Sequence, residues 1–275
     1  MLEFKERVFK FVFPKWYNER INLKEENKGL RNEIEHWKQA EENAQDLLIN
    51  LQKDATTLRN QVLAYEKRDK EIENQKTLEK KLNSKYPTVE TRQYNARSLY
   101  GTQYTIDVRA FCANHLCNEF VQIANECRGR DEEETAVNCL KWVINHIRYV
   151  EDKKTSGIAE FWYFPHETLQ LRKGDCEDGA FLLYAIMRAS GIPYYKIRLR
   201  AGDVFSNDGS PLGGHCNVQY FYEKGGYWVS LDWCFFQSTV PVEKRKDYKS
   251  DKLYGNEKLN TWFSWNEKLI FATRG

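Results

Sequence analysis

No apolar run in this 275-residue chain approaches the roughly 18 residues that a membrane-spanning helix needs, so no transmembrane segment is expected. The start, Met1 to Phe13, is apolar-rich but carries Glu3, Lys5, Glu6, Arg7 and Lys10, which is unlike a signal peptide. There is no CxxC pair, and the seven cysteines are an odd number, so a secreted disulfide framework is not indicated. The reading is a reducing, cytoplasmic compartment. Neither sign of charge is in excess, with 42 Lys and Arg against 40 Asp and Glu. The balance is also local: residues 1–85 carry 18 basic and 16 acidic residues. Binding of nucleic acid by bulk charge is therefore not expected.

Proline and glycine are scarce in the first third. Between Pro14 and Pro87 there is no proline, and Gly29 is the only glycine. The residues that fill this stretch are mostly helix-compatible Glu, Lys, Asn, Gln and Leu. Steps of four and three pick out Leu23, Leu30, Trp37, Ala44, Leu51, Leu58, Tyr65 and Ile72 at d-type positions, all apolar. The a-type positions mix Ile34, Leu48, Ala55 and Val62 with Asn27, Glu41 and Asp69. An unbroken heptad of this length predicts a coiled-coil helix over residues 17–85. A single helix cannot bury its own stripe, so the expectation is a homo-oligomer, with folding back onto the body as the alternative. Fully helical, residues 17–84 would extend roughly 100 Å. Residues 1–16 form a separate aromatic-rich segment with Phe4, Phe9, Phe11, Phe13 and Trp16. It reads as a docking or membrane-surface anchor, or as a short piece packed on the rest of the chain.

After Pro87 the composition changes, and residues 86–275 read as one globular domain. A helical pattern lies around Ile106 to Cys127. Another follows Asp131, with Glu132, Glu133 and Glu134 in its first turn, where carboxylates suit the helix dipole. A third begins near Cys176, and its stretch Ala180 to Met187 is apolar nearly all round, as in a core helix. It stops at Gly191 with Pro193 just beyond. Strand patterns then dominate: Tyr194 to Arg200, His215 to Tyr222 and Tyr227 to Trp233. Helices first and an antiparallel sheet after make the fold class α+β.

One set of polar residues suggests chemistry. A cysteine is a nucleophile as thiolate, and a helix N-terminus and a nearby imidazole both favour that form. Cys176 follows the turn Lys173-Gly174-Asp175 and opens the buried helix. His215 follows Gly213-Gly214 at a strand start, and Asp232 ends the next strand. If residues 223–226 form the connecting loop, Tyr222 pairs with Tyr227 and Asn217 with Asp232. His215 is then on the same face, diagonal to Asp232 at roughly 7–8 Å, within reach of longer side chains. A two-residue Gly225-Gly226 loop would keep the face but move His215 away.

The segment Phe161-Trp162-Tyr163-Phe164-Pro165-His166-Glu167-Thr168-Leu169, followed by Lys173-Gly174-Asp175-Cys176-Glu177-Asp178-Gly179-Ala180, resembles the transglutaminase-like superfamily. The likeness is to bacterial and bacteriophage-type members, with the motif W-x-x-P-x-E-T-L and then G-D-C-E-D. The later Gly-His and the strand ending in Leu-Asp resemble that family's second and third catalytic boxes. More weakly, Trp262 to Asn266 resembles the ending of phage-type members. The resemblance covers roughly residues 86–275 and none of the coil. It implies a papain-like core and a Cys176-His215-Asp232 triad that attacks an amide or ester of a protein or peptide substrate. The acyl group then passes to water or to an amine. Cys216 and Asn217 stand where many relatives have alanine and tryptophan after the histidine. The oxyanion donors implied are the backbone N–H of Cys176, with Gln170, six residues before it, and Trp162 as side-chain candidates. A phage origin would make the protein virion-associated. An inactive enzyme core serving as an assembly component is the alternative function.

No cofactor is expected, and no metal. Cys112, His115, Cys117 and Cys127 are spaced poorly for structural zinc, and calcium loops of the EF-hand type are absent. Glu177 and Asp178 are expected to serve the helix dipole and hydrogen bonding. Cys216 and Cys234 are expected to pack beside the catalytic strands. The glycine-bearing stretch from Gly202 to Gly214 reads as a turn or site rim.

Overall fold

A computed structural model describes residues 2–97, 103–112, 118–206, 208–235, 237–245, 252–253 and 257–272. The chain divides into two compact units, Met1–Asn74 and Gln75–Gly275. The first holds helix α1 (Leu2–Val12) and most of helix α2 (Pro14–Asn83). Its heptad seam is exposed along the chain, with Leu30 51%, Trp37 70% and Leu58 62% accessible.

The second unit takes in the last turns of α2. There Leu78 and Leu82 pack with Tyr194, Tyr195, Phe221 and Trp228 in a small apolar cluster. Arg198 closes it: Nη2 donates to the Leu82 carbonyl at 2.8 Å, and the guanidinium lies 3.6 Å from the Phe271 ring centroid. Burial pushes the Arg198 pKa down to about 9, and the charge interaction with Tyr86 acts weakly the other way. The unit boundary falls inside a continuous helix, between Asn74 and Gln75.

The remaining elements in chain order are β1 (Thr88–Val89), the hairpin β2 (Gln93–Arg97) and β3 (Gln103–Asp107), and a 3₁₀ turn Val108–Cys112. Then come α3 (Asn118–Glu126), α4 (Glu132–His146), β4 (Arg148–Tyr149), α5 (Asp152–Thr155), α6 (Pro165–Leu171), β5 (Lys173–Gly174) and α7 (Cys176–Ala189). The chain ends in strands β6 (Ile197–Phe205), β7 (Pro211–Tyr222), β8 (Tyr227–Leu231), β9 (Lys252–Leu253), β10 (Glu257–Trp265) and β11 (Ile270–Ala272). The main sheet is antiparallel in the order β1-β11-β10-β6-β7-β8, with β9 on β10. Helix α7 is the hub. It is buried from Glu177 to Met187 and packs on β6 and β7 and against α3, α4 and α6. The architecture is α+β, as the sequence indicates.

Three boundaries differ from the sequence reading, one being the strand expected from Tyr194, which starts at Ile197 after a 3₁₀ turn Tyr194–Lys196. Ile106, expected to open a helix, pairs instead with Tyr94 in the β2–β3 hairpin, and among the described residues the α-helix of this stretch is Asn118–Glu126. That hairpin pairing overrides a local helical periodicity. His215 lies inside β7, which starts at Pro211, because Gly213 to His215 pair with Val204 to Gly202 on β6. The glycine-bearing stretch is therefore mostly two strands of a hairpin. Asp131 caps α4 as its sequence suggests, accepting from the Glu134 N–H at 2.8 Å.

Candidate active site

Cys176 is the first residue of α7, and its placement is held from three sides. Asp178, fully buried, accepts from the Asp175 N–H at 3.2 Å and from the Tyr163 N–H at 2.8 Å, which ties the Trp162 loop to the helix start. The indole N–H of Trp233 donates to the Cys176 carbonyl at 2.9 Å. That ring lies where a side chain at position 179 would be: a Cβ there would fall 2.1 Å from Trp233 Cε2. Gly179 is thus required by a close approach. The Cys176 thiol itself is half-buried and donates to Glu177 Oε2 at 3.2 Å. Hydrogen bonding from the backbone of Cys216, the residue after His215, favours the charged form of the sulfur. Burial, Asp175 and the Cys216 and Cys234 thiols act the other way and hold the Cys176 pKa well above the ordinary thiol value.

His215 and Asp232 meet in the core of the sheet. His215 Nε2 is 2.5 Å from Asp232 Oδ2, and both residues are buried. The register responsible is the one a four-residue loop imposes, with Tyr222 opposite Tyr227 and Val218 opposite Leu231. Asp232 Oδ1 also accepts from the N–H groups of Cys234 and Phe235, each at 3.1 Å. Burial disfavours the Asp232 carboxylate, but the His215 charge and hydrogen bond, with those two donors, outweigh it and hold the pKa below the usual value. Cys216 is buried in the core, and Cys234 Sγ lies 3.8 Å from Asp232 Oδ1.

Gln170 and Trp162 are placed differently from that pair. Gln170 is exposed and lines a cavity of about 850 Å³ with Trp142, His146, His166 and Arg172, and none of Cys176, His215 and Asp232 lines it. Helix α6 is the cause, since it buries Thr168 and Leu169 and turns the next residue outward. Trp162 stacks on Tyr94 at 4.2 Å between ring centroids, and its indole N–H donates to Glu160 at 2.6 Å.

A carboxylate cluster beside Cys176 has no counterpart in the sequence reading. Ligand atoms of Asp152, Asp175 and Asp178 lie within 4.8 Å of one another, as do those of Asp152, Glu160 and Glu177. Asp152 Oδ1, Asp175 Oδ1 and Glu177 Oε1 are buried without a hydrogen-bond partner. Burial pushes all five carboxyl groups up, Asp152 to about 7, and repulsion from neighbouring carboxylates adds to it in Asp152, Glu160, Glu177 and Asp178. Such oxygens suit a hard divalent cation, and Asp152 with Asp175 and Asp178, or with Glu160 and Glu177, are the residues that could hold one. Asp175 and Glu177 flank Cys176 in the sequence, but Asp152 and Glu160 reach them only through the fold of α5 and the following loop. Of the four residues weighed for zinc, Cys112 and Cys127 are buried in the core, while His115 and Cys117 lie outside the described residues.

Residues 121–233 match the family model of the transglutaminase-like superfamily, so the chain contains a transglutaminase-like domain that spans Cys176, His215 and Asp232. Among similar solved structures is Legionella pneumophila LapG in an EGTA-treated form, at 16% identity over 56% of this chain and 74% of that one, with a TM-score of 0.42. A calcium-bound form of LapG is similar at 19% identity, 57% and 88% coverage and a TM-score of 0.38. A structure described as a TGase matches at 13% identity, 67% and 54% coverage and a TM-score of 0.30. No curated protein sequence matches the chain. Among the described residues, no helix is long and apolar enough to cross a membrane.

Proposed function

We propose that the chain is a thiol acyl-transfer enzyme, a cysteine peptidase, amidase or transglutaminase, with Cys176 as nucleophile, His215 as base and Asp232 as orienter. The observation that carries this reading is the buried pair in which His215 Nε2 lies 2.5 Å from Asp232 Oδ2. With Nε2 held by Asp232, His215 exchanges the thiol proton through Nδ1. The sulfur attacks the carbonyl carbon, and the proton passes to the departing amine as the C–N bond breaks. Water or a second amine then attacks the thioester, and its proton returns through His215 to the released sulfur. The backbone N–H of Cys176, free of an earlier helical turn, serves the developing oxyanion. Gln170 is not retained in that role. Residues 17–85, with their exposed heptad seam, join copies of the chain.

The test is iodoacetamide labelling of Cys176 followed by mass spectrometry, across pH, in the wild type and in His215→Ala. Fast labelling below about pH 7 that needs His215 is expected, against about 8.5 for an ordinary thiol. Ordinary thiol behaviour in both proteins removes the reading and favours a scaffold with an inactive core.

A second reading concerns regulation of the same site, and rests on the unpartnered buried oxygens of Asp152, Asp175 and Glu177. A divalent cation such as calcium would be held there, supplying positive charge against the carboxylates that now oppose a Cys176 thiolate. Isothermal calorimetry with calcium, on the wild type and on Asp152→Asn, reads this without any activity. Absence of heat in the wild type rejects it.

A further inference from the structure

Helix α1 has an apolar face that coiled-coil pairing would not cover. Its polar arc is narrow, formed by Glu3, Glu6, Arg7 and Lys10. The other side presents Phe4, Val8, Phe9, Phe11 and Val12, continued by Phe13, and Phe4 and Phe11 are 72% and 88% exposed. The heptad of α2 can be carried back into α1, because Phe13 N–H bonds to the Phe9 carbonyl and Tyr17 N–H to the Phe13 carbonyl across the junction. Phe9 and Trp16 then fall at d and Phe13 at a, where a second copy would meet them. Phe4 and Phe11 fall at f and Val8 at c, which face away from the seam in any coiled coil. Filling the seam would leave these rings in water, so a different surface must take them.

We infer that α1 is an amphipathic helix that lies in the interface of an anionic lipid bilayer. A bilayer takes phenyl rings without needing a shaped groove, and a wide apolar face beside a short polar one suits that depth. Lys5, Arg7, Lys10 and Lys15 outnumber Glu3 and Glu6 in this segment, which favours anionic headgroups. Lys5 interrupts the apolar arc, but its long stem lets the ammonium reach the headgroups. Pro14 has no N–H to offer the carbonyl four residues back, so one helical hydrogen bond is missing at the junction. At 11 residues, α1 is too short to span a membrane and must lie along it.

The experiment is co-sedimentation of the full chain with phosphatidylcholine vesicles, with and without phosphatidylserine, beside analytical ultracentrifugation without lipid. The wild type is expected to pellet with the phosphatidylserine vesicles, less so at high salt. Phe4→Ser with Phe11→Ser should lower that partitioning by about a hundredfold, from the lost burial of two phenyl groups, and leave the oligomer mass unchanged. Lys5→Gln with Lys10→Gln should reduce the preference for phosphatidylserine. Failure of the wild type to bind, or full binding by the double phenylalanine variant, overturns the inference. A changed oligomer mass in that variant also overturns it, because the face would then be a contact between copies.

Discussion

Replacing Gly179 with alanine introduces one methyl group, at a place where the structure leaves none. The new Cβ would fall 2.1, 2.4 and 2.6 Å from Trp233 Cε2, Nε1 and Cδ2, all well inside van der Waals contact. Three ring atoms are involved, so no small rotation relieves the clash. Trp233 is 1% exposed and cannot swing out without emptying its own site. Its retreat would also break the 2.9 Å bond from its indole N–H to the Cys176 carbonyl. Overpacking of this kind costs about 1–3 kcal/mol, and the lost hydrogen bond about 1 kcal/mol more. A total near 3 kcal/mol corresponds to a fall in Tm of about 6–12 °C for a domain of this size. Calorimetry or thermal denaturation of the full chain measures it, and Trp233→Leu supplies the control. In that background the alanine should cost at least about 1 kcal/mol less, since the two sites share one contact. The His215-dependent labelling of Cys176 should fall in Gly179→Ala, since the Cys176 carbonyl loses its anchor. A Tm within about 2 °C of wild type would refute the packing account.

Asp232→Asn keeps the shape of the dyad but removes the charge opposite His215. It should slow low-pH labelling of Cys176 by about tenfold or more, with loss of the orienting hydrogen bond as the cause. Leu51→Asp with Leu58→Asp places charge on two exposed seam positions and should reduce the sedimenting mass to that of one chain, with thermal unfolding of the Gln75–Gly275 unit unchanged. The carboxylate cluster gives a pH signature. Asp152 is raised from 3.8 to about 7 on folding, so the folded state holds its proton more tightly than the unfolded one. Stability from this group is full below 3.8 and is lost as the pH rises through about 7. Melts in EGTA should show that loss, and calcium should reverse most of it. Asp232, with a lowered pKa, loses its contribution as the pH falls, which places the optimum in EGTA on the mildly acidic side.

The sequence by itself determined those features whose causes are local or periodic. A heptad without proline dictates a long helix, because the period of its apolar residues is the period of the backbone. The run Ala180 to Met187, apolar on every side, could only be a core helix, and it is the hub of the fold. The hairpin Tyr222 to Tyr227 set the pairing that brings His215 to Asp232, since a loop of even length keeps both on one face. Tertiary structure alone decided the rest. Ile106 became a strand residue because Tyr94, twelve positions earlier, pairs with it. Gln170 came to be exposed because α6 buries Thr168 and Leu169 beside it, a fact no spacing to the cysteine contains. Asp152 and Glu160 joined Asp175 and Glu177 through a loop held by Tyr163 N–H and Asp178, and Trp233 found Gly179 across fifty-odd residues. Each of these contacts joins residues far apart in the chain, and their energies depend on distance in space, which the local pattern of residues does not encode.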